Sequence, residues 1–390
     1  MTELLFWISV GLTVYVYIGY PVLLWGMQAI FSSPVRKAAI EPAVSLLVAA
    51  YNEEAVIAEK LRNSLALDYP EQKLEIVVAS DGSTDGTAEI VRSFAGSNPE
   101  LVRLLNFENN RGKMQVLNDA IPQLRGEVAA FSDASSMLAP DSLRALVQSF
   151  GDSRVGAVSG VYRLLKKDDA RIGPQEDFYW KYETFLKVQE AKLGAFTGAH
   201  GSLYAIRREL YPFPAASTIN DDFTIPMRIL EHGHRVAYEP EAVAYEEAYE
   251  MEGFSRRVRI TAGNVEQLRE IKGLLWPPRP FALFCLISHK TGRLIVPVLL
   301  IVALISNLIL CPRFPYNWLL AGQALFYGLA ALGGVFKLRP KFLRLPFYFC
   351  MINSALFAWI YHALRHGRAI PSRIELDQFG NRHQAIKDNR

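Results

Sequence analysis

Cysteine is scarce in this chain: there are three in 390 residues, Cys285, Cys311 and Cys350, and no two of them make a C-x-x-C pair. That argues against a disulfide framework or a thiolate zinc site and leaves them as filler of an apolar region. An excess of charge of one sign is missing as well. The 42 Lys and Arg stand against 39 Asp and Glu, and a net charge of +3 gives no footprint for a nucleic-acid partner. Neither a P-loop nor G-x-G-x-x-G appears at the first strand-to-helix turn, where "AAYNEEA" stands instead, so the usual phosphate cradles are absent there. No internal repeat or low-complexity segment is present. What the chain has in abundance is apolar side chain: 51% hydrophobic content and a positive mean hydropathy are high for a soluble protein and point to contact with lipid.

Residues 4–31 hold no charged side chain over a length that crosses a hydrocarbon core of about 30 Å. A cleaved signal peptide is the rival reading. The lack of a basic segment ahead of the run, and its length, favour a spanning anchor, kinked at Pro21. Apolar runs return at 294–310, which is barely long enough, and at 317–336 and 345–364. Basic residues follow the first run (Arg36, Lys37) and separate the last two ("KLRPKFLR"), which places both on the cytoplasmic side and the middle of the chain with them. Four spans then put the tail from Arg365 on the far side, against the same rule, so either one span is re-entrant or the tail lies elsewhere. Residues 254–275 mix basic and apolar positions, and 281–293 are too short to span; both are expected to lie at the membrane interface. The expected organisation is an anchor (1–33), a cytoplasmic domain (41–250), interfacial helices (251–293), C-terminal transmembrane helices (294–365) and a polar tail (366–390).

Within the middle domain, short apolar runs at 43–50, 74–80, 101–107, 127–133 and 155–160 read as strands. Helix-like segments at 53–67, 87–94, 113–124 and 141–150 alternate with the strands and predict an α/β, doubly wound, mostly parallel sheet. Ligands bind such sheets beyond the carboxyl ends of the strands. Those ends carry Tyr51-Asn52-Glu53, Asp81-Gly82-Ser83 and Asp133-Ala134-Ser135, which are expected to converge on one edge. The acidic first turn suits a base and ribose: a ring can stack on Tyr51, and carboxylates accept from ring N–H groups and ribose hydroxyls. Phosphates then need a cation, from Lys113 or from a divalent metal on Asp133.

Six segments in order resemble the membrane-bound glycosyltransferases of family 2, which include cellulose, hyaluronan and poly-N-acetylglucosamine synthases. They are "VAAYNEE", "ASDGSTDGT", "NNRGKMQVLNDAI", "FSDASSM", "TGAHGSLYAIRRELY" and "NDDFTI", and the similarity runs over residues 44–263. It implies a GT-A-like fold between N- and C-terminal transmembrane helices. It also implies a nucleotide-sugar site of Ala50, Tyr51, Asn52, Glu53, Asp81, Ser83, Lys113 and Asp133, and a donor or acceptor loop of Thr197, Gly198, His200 and Gly201. Asp222 takes the place of the family's catalytic base and Asp221 that of its acidic neighbour. Adjacent carboxylates can raise one pKa toward a useful value; by itself the pair would read as a helix cap. Arg256 and Arg259 fit the family's Q/R-x-x-R-W and are implied to meet the pyrophosphate.

Two positions depart from the pattern. Ser135 replaces the second Asp of D-x-D, leaving Asp133 as the anionic ligand for Mg²⁺ or Mn²⁺, with the Ser135 hydroxyl beside it. Ile260 replaces the Trp, removing an aromatic face for the acceptor and weighing against long-chain processivity. The expected function is inverting transfer from a nucleotide sugar, UDP-linked, to a lipid-linked or growing glycan acceptor at the bacterial plasma membrane, within cell-surface or exopolysaccharide biosynthesis. Expected partners are donor, acceptor and membrane lipids, without nucleic acid. A processive polysaccharide synthase and a non-catalytic glycan-binding or scaffold protein are the alternatives.

Overall fold

A computed structural model describes residues 1–165, 174–196, 198–247, 254–266, 268, 271–275, 279–336 and 341–366. The strands are β1 (Val44–Ala50), β2 (Leu74–Asp81), β3 (Val102–Phe107), β4 (Val128–Phe131), β5 (Met137–Leu138), β6 (Val155–Leu165), β7 (Tyr204–Arg207) and β8 (Arg235–Glu247). The helices are α1 (Thr2–Phe31), α2 (Ile57–Leu65), α3 (Thr87–Ser97), α4 (Lys113–Ala120), α5 (Ser142–Gln148), α6 (Pro174–Lys192), α7 (Asp221–Glu231), α8 (Phe254–Glu266) and α9 (Ile271–Leu275). The last three are α10 (Pro280–Leu310), α11 (Tyr316–Val335) and α12 (Leu345–His366).

The eight strands form one sheet in the order β3-β2-β1-β4-β7-β6-β8-β5. The first half is parallel, with Val44 opposite both Leu74 and Val128. This is the part the β-α-β alternation predicts. β7 breaks the parallel run, pairing antiparallel with β4 and β6, so β6 joins β4 only through it. Side chains alternate along β1: Leu47 enters one core, while Leu46 and Val48 enter the other. The second core is closed by Ile57 and Leu61 of α2, Val91 of α3 and Leu143 and Leu146 of α5.

The first core is larger and reaches beyond the sheet. It runs from Phe131, Tyr204 and Phe223 through Leu186 of α6 to Tyr20 and Leu24 of α1 and Cys285 and Leu286 of α10. α1 and α10 are antiparallel, since Phe31 meets Phe281 at one end (ring centroids 5.5 Å) and Glu3 meets Arg313 at the other (3.4 Å). Segment 281–293, expected at the membrane interface, forms the first half of the continuous helix α10. A buried polar cluster adds to the apolar packing that joins it to the sheet domain: His289 lies against Glu190 (2.6 Å) and Glu183 (3.4 Å), and Arg293 binds Glu183.

The irregularity expected at Pro21 takes the form of a π turn over Tyr15–Gly19. Pro21 has no N–H to give to the Tyr17 carbonyl, and the Tyr182 hydroxyl donates to that oxygen instead (3.0 Å). α1, α10, α11 and α12 are long and apolar enough to cross a membrane, and a third or less of each apolar window is buried. The exposed apolar faces, with Trp7, Ile301 and Trp318 among them, match helices solvated by lipid. α8 packs on α12 through Val258 and Ala355.

Candidate active site

The carboxyl ends of β1, β2 and β4 lie side by side because the three strands are parallel and in register. Beyond β1 and β2 the two motif turns are stitched together. The Asn52 N–H donates to Ser83 Oγ (3.1 Å), the Thr84 N–H to Asn52 Oδ1 (2.8 Å), the Glu53 N–H to Thr87 Oγ1 (2.9 Å) and the Gly86 N–H to Glu54 Oε2 (2.9 Å). Asn52 supports this with a positive φ of 54°, a region Asn tolerates. Asn52 and Ser83 therefore shape the turns, Ala50 is buried beneath them, and Tyr51 stands 40% exposed at the mouth.

Asp81 ends β2 as a buried carboxylate. Its two oxygens accept the backbone N–H groups of Arg111 (2.9 Å) and Gly112 (2.8 Å). That grip fixes the start of α4 and so places Lys113. Gly82, at φ 67°, lets the 109–110 backbone come close: a Cβ there would stand 2.5 Å from main-chain atoms of Asn109 and Asn110.

Lys113 reaches across to two acids from distant parts of the chain. Its ammonium donates to Asp133 Oδ1 at 2.8 Å and lies 3.1 Å from Asp221 Oδ1. Burial opposes its charge, yet Asp133, Asp221 and Asp222 together hold it well above the usual lysine range. Asp221, buried at the start of α7, also accepts the Tyr204 hydroxyl at 2.9 Å. Its neighbour Asp222 accepts the Gly201 N–H at 3.1 Å. Burial first, and then Asp221, push the Asp222 carboxyl up to about 6, against the pull of Lys113. Gly201 is the meeting point, since a Cβ on it would be 3.2 Å from Asp133 Oδ2 and 3.6 Å from Asp222 Oδ2.

The structure thus brings together Lys113, Asp133, Asp221, Asp222, His200 and Gly201, with Gly198 in the same loop and Asp81 attached through the 111–113 backbone. Thr197 and the side chains of Arg256 and Arg259 lie outside the described residues. The His200 ring faces Lys187 and Tyr162: its Nε2 lies 2.9 Å from Lys187 Nζ, and it stacks at 6.4 Å on Tyr162. Burial and Lys187 hold the imidazole well below its ordinary value, so it is neutral. Burial lowers Lys187 itself to about 8.

Two lysines escaped the sequence reading. Lys187 shares a face of α6 with Glu183 and Glu190, and charged residues repeating on a buried helix face were the available signal. Lys60 sits in the buried stripe Ile57, Lys60, Leu61, Ser64 of α2; a lysine interrupting an amphipathic stripe was the signal there. Burial lowers Lys60 to about 7, with Asp133 pulling the other way.

Among the described residues no group of three or more His, Cys, Asp or Glu side chains is arranged to hold a metal ion. Asp133 is 43% exposed and keeps a second oxygen free of Lys113, with the half-buried Ser135 two residues on. One carboxylate and a hydroxyl fit a Mg²⁺ or Mn²⁺ that takes its remaining ligands from a diphosphate and water, and do not fit an all-protein cage.

The chain resembles known proteins across this region. It is 27% identical over 231 residues to the poly-beta-1,6-N-acetyl-D-glucosamine synthase of Staphylococcus epidermidis, covering 58% of this chain and 55% of that one. The Staphylococcus aureus synthase gives 28% with the same coverage. The chain therefore spans about half the length of the curated relatives it matches. The solved mannosyltransferase PcManGT of Pyrobaculum calidifontis, in complex with GDP-Man and Mn²⁺, superposes with a TM-score of 0.72 at 27% identity. That match covers 94% of this chain and 100% of the other. A family model described as glycosyltransferase like family 2 matches residues 42–262, more than half of the protein, and so takes in every turn described above. By that match the chain belongs to glycosyltransferase family 2 and is a glycosyltransferase.

Proposed function

We propose that the protein transfers a sugar, with inversion, from a nucleoside-diphosphate sugar to a lipid-linked or growing glycan acceptor at the bacterial plasma membrane, its sheet domain on the cytosolic side. The observation that carries this reading is the convergence of Asp133, Asp221, Asp222 and Lys113 around Gly201. Asp222, pushed up to about 6, takes the proton of the acceptor hydroxyl. The freed oxygen attacks the anomeric carbon from the face opposite the diphosphate. A new C–O bond forms as the bond to the phosphate oxygen breaks, and the electron pair leaves with the nucleoside diphosphate. Lys113, which keeps 39% of its side chain in solvent, offers an ammonium to the departing charge. Asp221, itself held by the Tyr204 hydroxyl, fixes Lys113, and the Gly201 N–H fixes Asp222. A divalent cation on Asp133 and Ser135 supplies charge neutralisation for the diphosphate when bound.

The GDP-Man held by the Pyrobaculum mannosyltransferase supports a nucleoside-diphosphate sugar and adds guanosine to the expected uridine as a base to screen. The synthase names of the staphylococcal relatives favour polymerisation as a second reading, while Ile260 favours single addition; product sizing separates them. The test is a donor screen on membrane-embedded protein with Mn²⁺ or Mg²⁺, using UDP- and GDP-linked sugars and scored by released nucleoside diphosphate. One donor is expected to be consumed in a cation-dependent manner. Release no greater than that of Asp222→Asn for every donor would overturn the proposal.

A further inference from the structure

The Asp133 segment is held from beneath by one helix. Lys60 of α2 is fully buried, and its ammonium donates to Ser132 Oγ at 2.6 Å and to the Ser136 carbonyl. These acceptors bracket Asp133 and Ser135. One turn along α2, Asn63 donates to the Leu138 carbonyl (2.9 Å) and accepts the Leu138 N–H (2.8 Å). Ser132 carries the connection onward by donating to the Ser202 carbonyl at 2.7 Å. Ser202 follows Gly201, whose N–H binds Asp222. A single buried ammonium thus grips the segment carrying the candidate cation ligands and, through one hydroxyl, the loop that meets the candidate base.

A buried lysine is costly to keep, and an apolar side chain would fill the stripe of α2 without that cost. The bland reading is a polar staple that only completes the fold. Two features go beyond it. Both acceptors of Lys60 lie within the five-residue stretch 132–136, and the Ser132 hydroxyl that it grips is bonded in turn to the loop beside Gly201. Groups that orient metal ligands from behind commonly change metal affinity by about 10- to 100-fold when removed.

We propose that Lys60 is a positioning residue that sets Asp133 and Ser135 for a divalent cation carried by the donor diphosphate. This rests on the functional reading above. The test measures Mn²⁺ binding by electron paramagnetic resonance, with and without UDP or GDP, on the full chain in detergent or nanodiscs. Lys60→Met is expected to weaken Mn²⁺–nucleoside diphosphate binding about tenfold or more and to raise the half-saturating Mn²⁺ and the donor KM. The acceptor KM should change less than the donor KM, since Lys60 bonds the Asp133 segment directly and the Gly201 loop only through Ser132. Lys60→Arg, which keeps charge and donors, should recover part of the loss.

Should Lys60→Met not fold, Ser132→Ala removes one acceptor and leaves the charge; it is expected to weaken Mn²⁺–diphosphate binding about two- to fivefold in a protein that still folds, with a lowered melting temperature because a buried ammonium loses a partner. Unaltered Mn²⁺–diphosphate binding in folded Lys60→Met, or in Ser132→Ala, would overturn the positioning role alone. Absence of such binding in the unmodified protein would overturn the functional reading and this inference with it.

Discussion

Replacing Asp222 by Asn separates the two consequences of crowding carboxylates around Gly201. The amide keeps an oxygen for the Gly201 N–H, which Asp222 accepts at 3.1 Å, and loses the charge. A carboxyl moved from 3.8 to about 6 costs at most about 3 kcal/mol of stability once ionised, at about 1.4 kcal/mol per tenfold change in its acidity. Residual solvent contact screens part of this, and about 1–2 kcal/mol is expected to remain. The sign follows from proton occupancy. Between pH 4 and 6 the unfolded chain has released this proton while the folded chain still holds it, so stability falls across that window and is flat above it. Asp222→Asn is therefore expected to melt about 1–3 °C higher than the unmodified protein at pH 7.5, with the gap opening between pH 4 and 6. Its turnover should drop by about 10²- to 10⁴-fold. In the unmodified enzyme kcat/KM should rise with pH to a plateau above about 6. Paired thermal melts and donor-hydrolysis assays across pH 5 to 8 measure both effects. A variant with unchanged turnover, or one no more stable than the parent at neutral pH, would refute the assignment of a strained, functional carboxylate.

Two further substitutions probe the frame and the cation. Gly82→Ala combines a φ of 67° with a Cβ 2.5 Å from the 109–110 backbone, so it should lose about 2–4 kcal/mol of stability, read by thermal melts. Ser135→Asp restores a second carboxylate beside Asp133 and should lower the half-saturating Mn²⁺ by about three- to tenfold, read from activity against metal concentration.

The parallel half of the sheet was legible because each of its strands is an apolar run followed by a polar turn and a periodic helix. β5, β7 and β8 were not, for physical reasons that differ. Met137–Leu138 is two residues long and Tyr204–Arg207 is four, too short to show alternation. β8 carries Pro240 between Glu239 and Glu241, and its pairing with β6 shifts register along its length. The site residues were legible one at a time, as strand ends and motif positions. What no local pattern holds is how they depend on one another: Asp81 spends both oxygens on the 111–112 backbone so that Lys113 can reach Asp133 and Asp221. Segment 281–293 reads as too short to span by itself, and its polar residues include His289 and Arg293. In the fold they pair with Glu183 and Glu190, more than ninety residues away.

The continuity between the catalytic core and the helices α1 and α10 has a consequence for reach. Tyr20, Leu24 and Cys285 belong to the same packed interior as Phe131, Tyr204 and Phe223, so the domain is joined to α1 and α10 by a core and not by a linker. With α1 and α10 in a bilayer, Asp222 stands at a set altitude above the lipid. On the proposed function the protein then works as a ruler: a lipid-linked acceptor would be chosen in part by whether its hydroxyl, measured from its own anchor, arrives at that height.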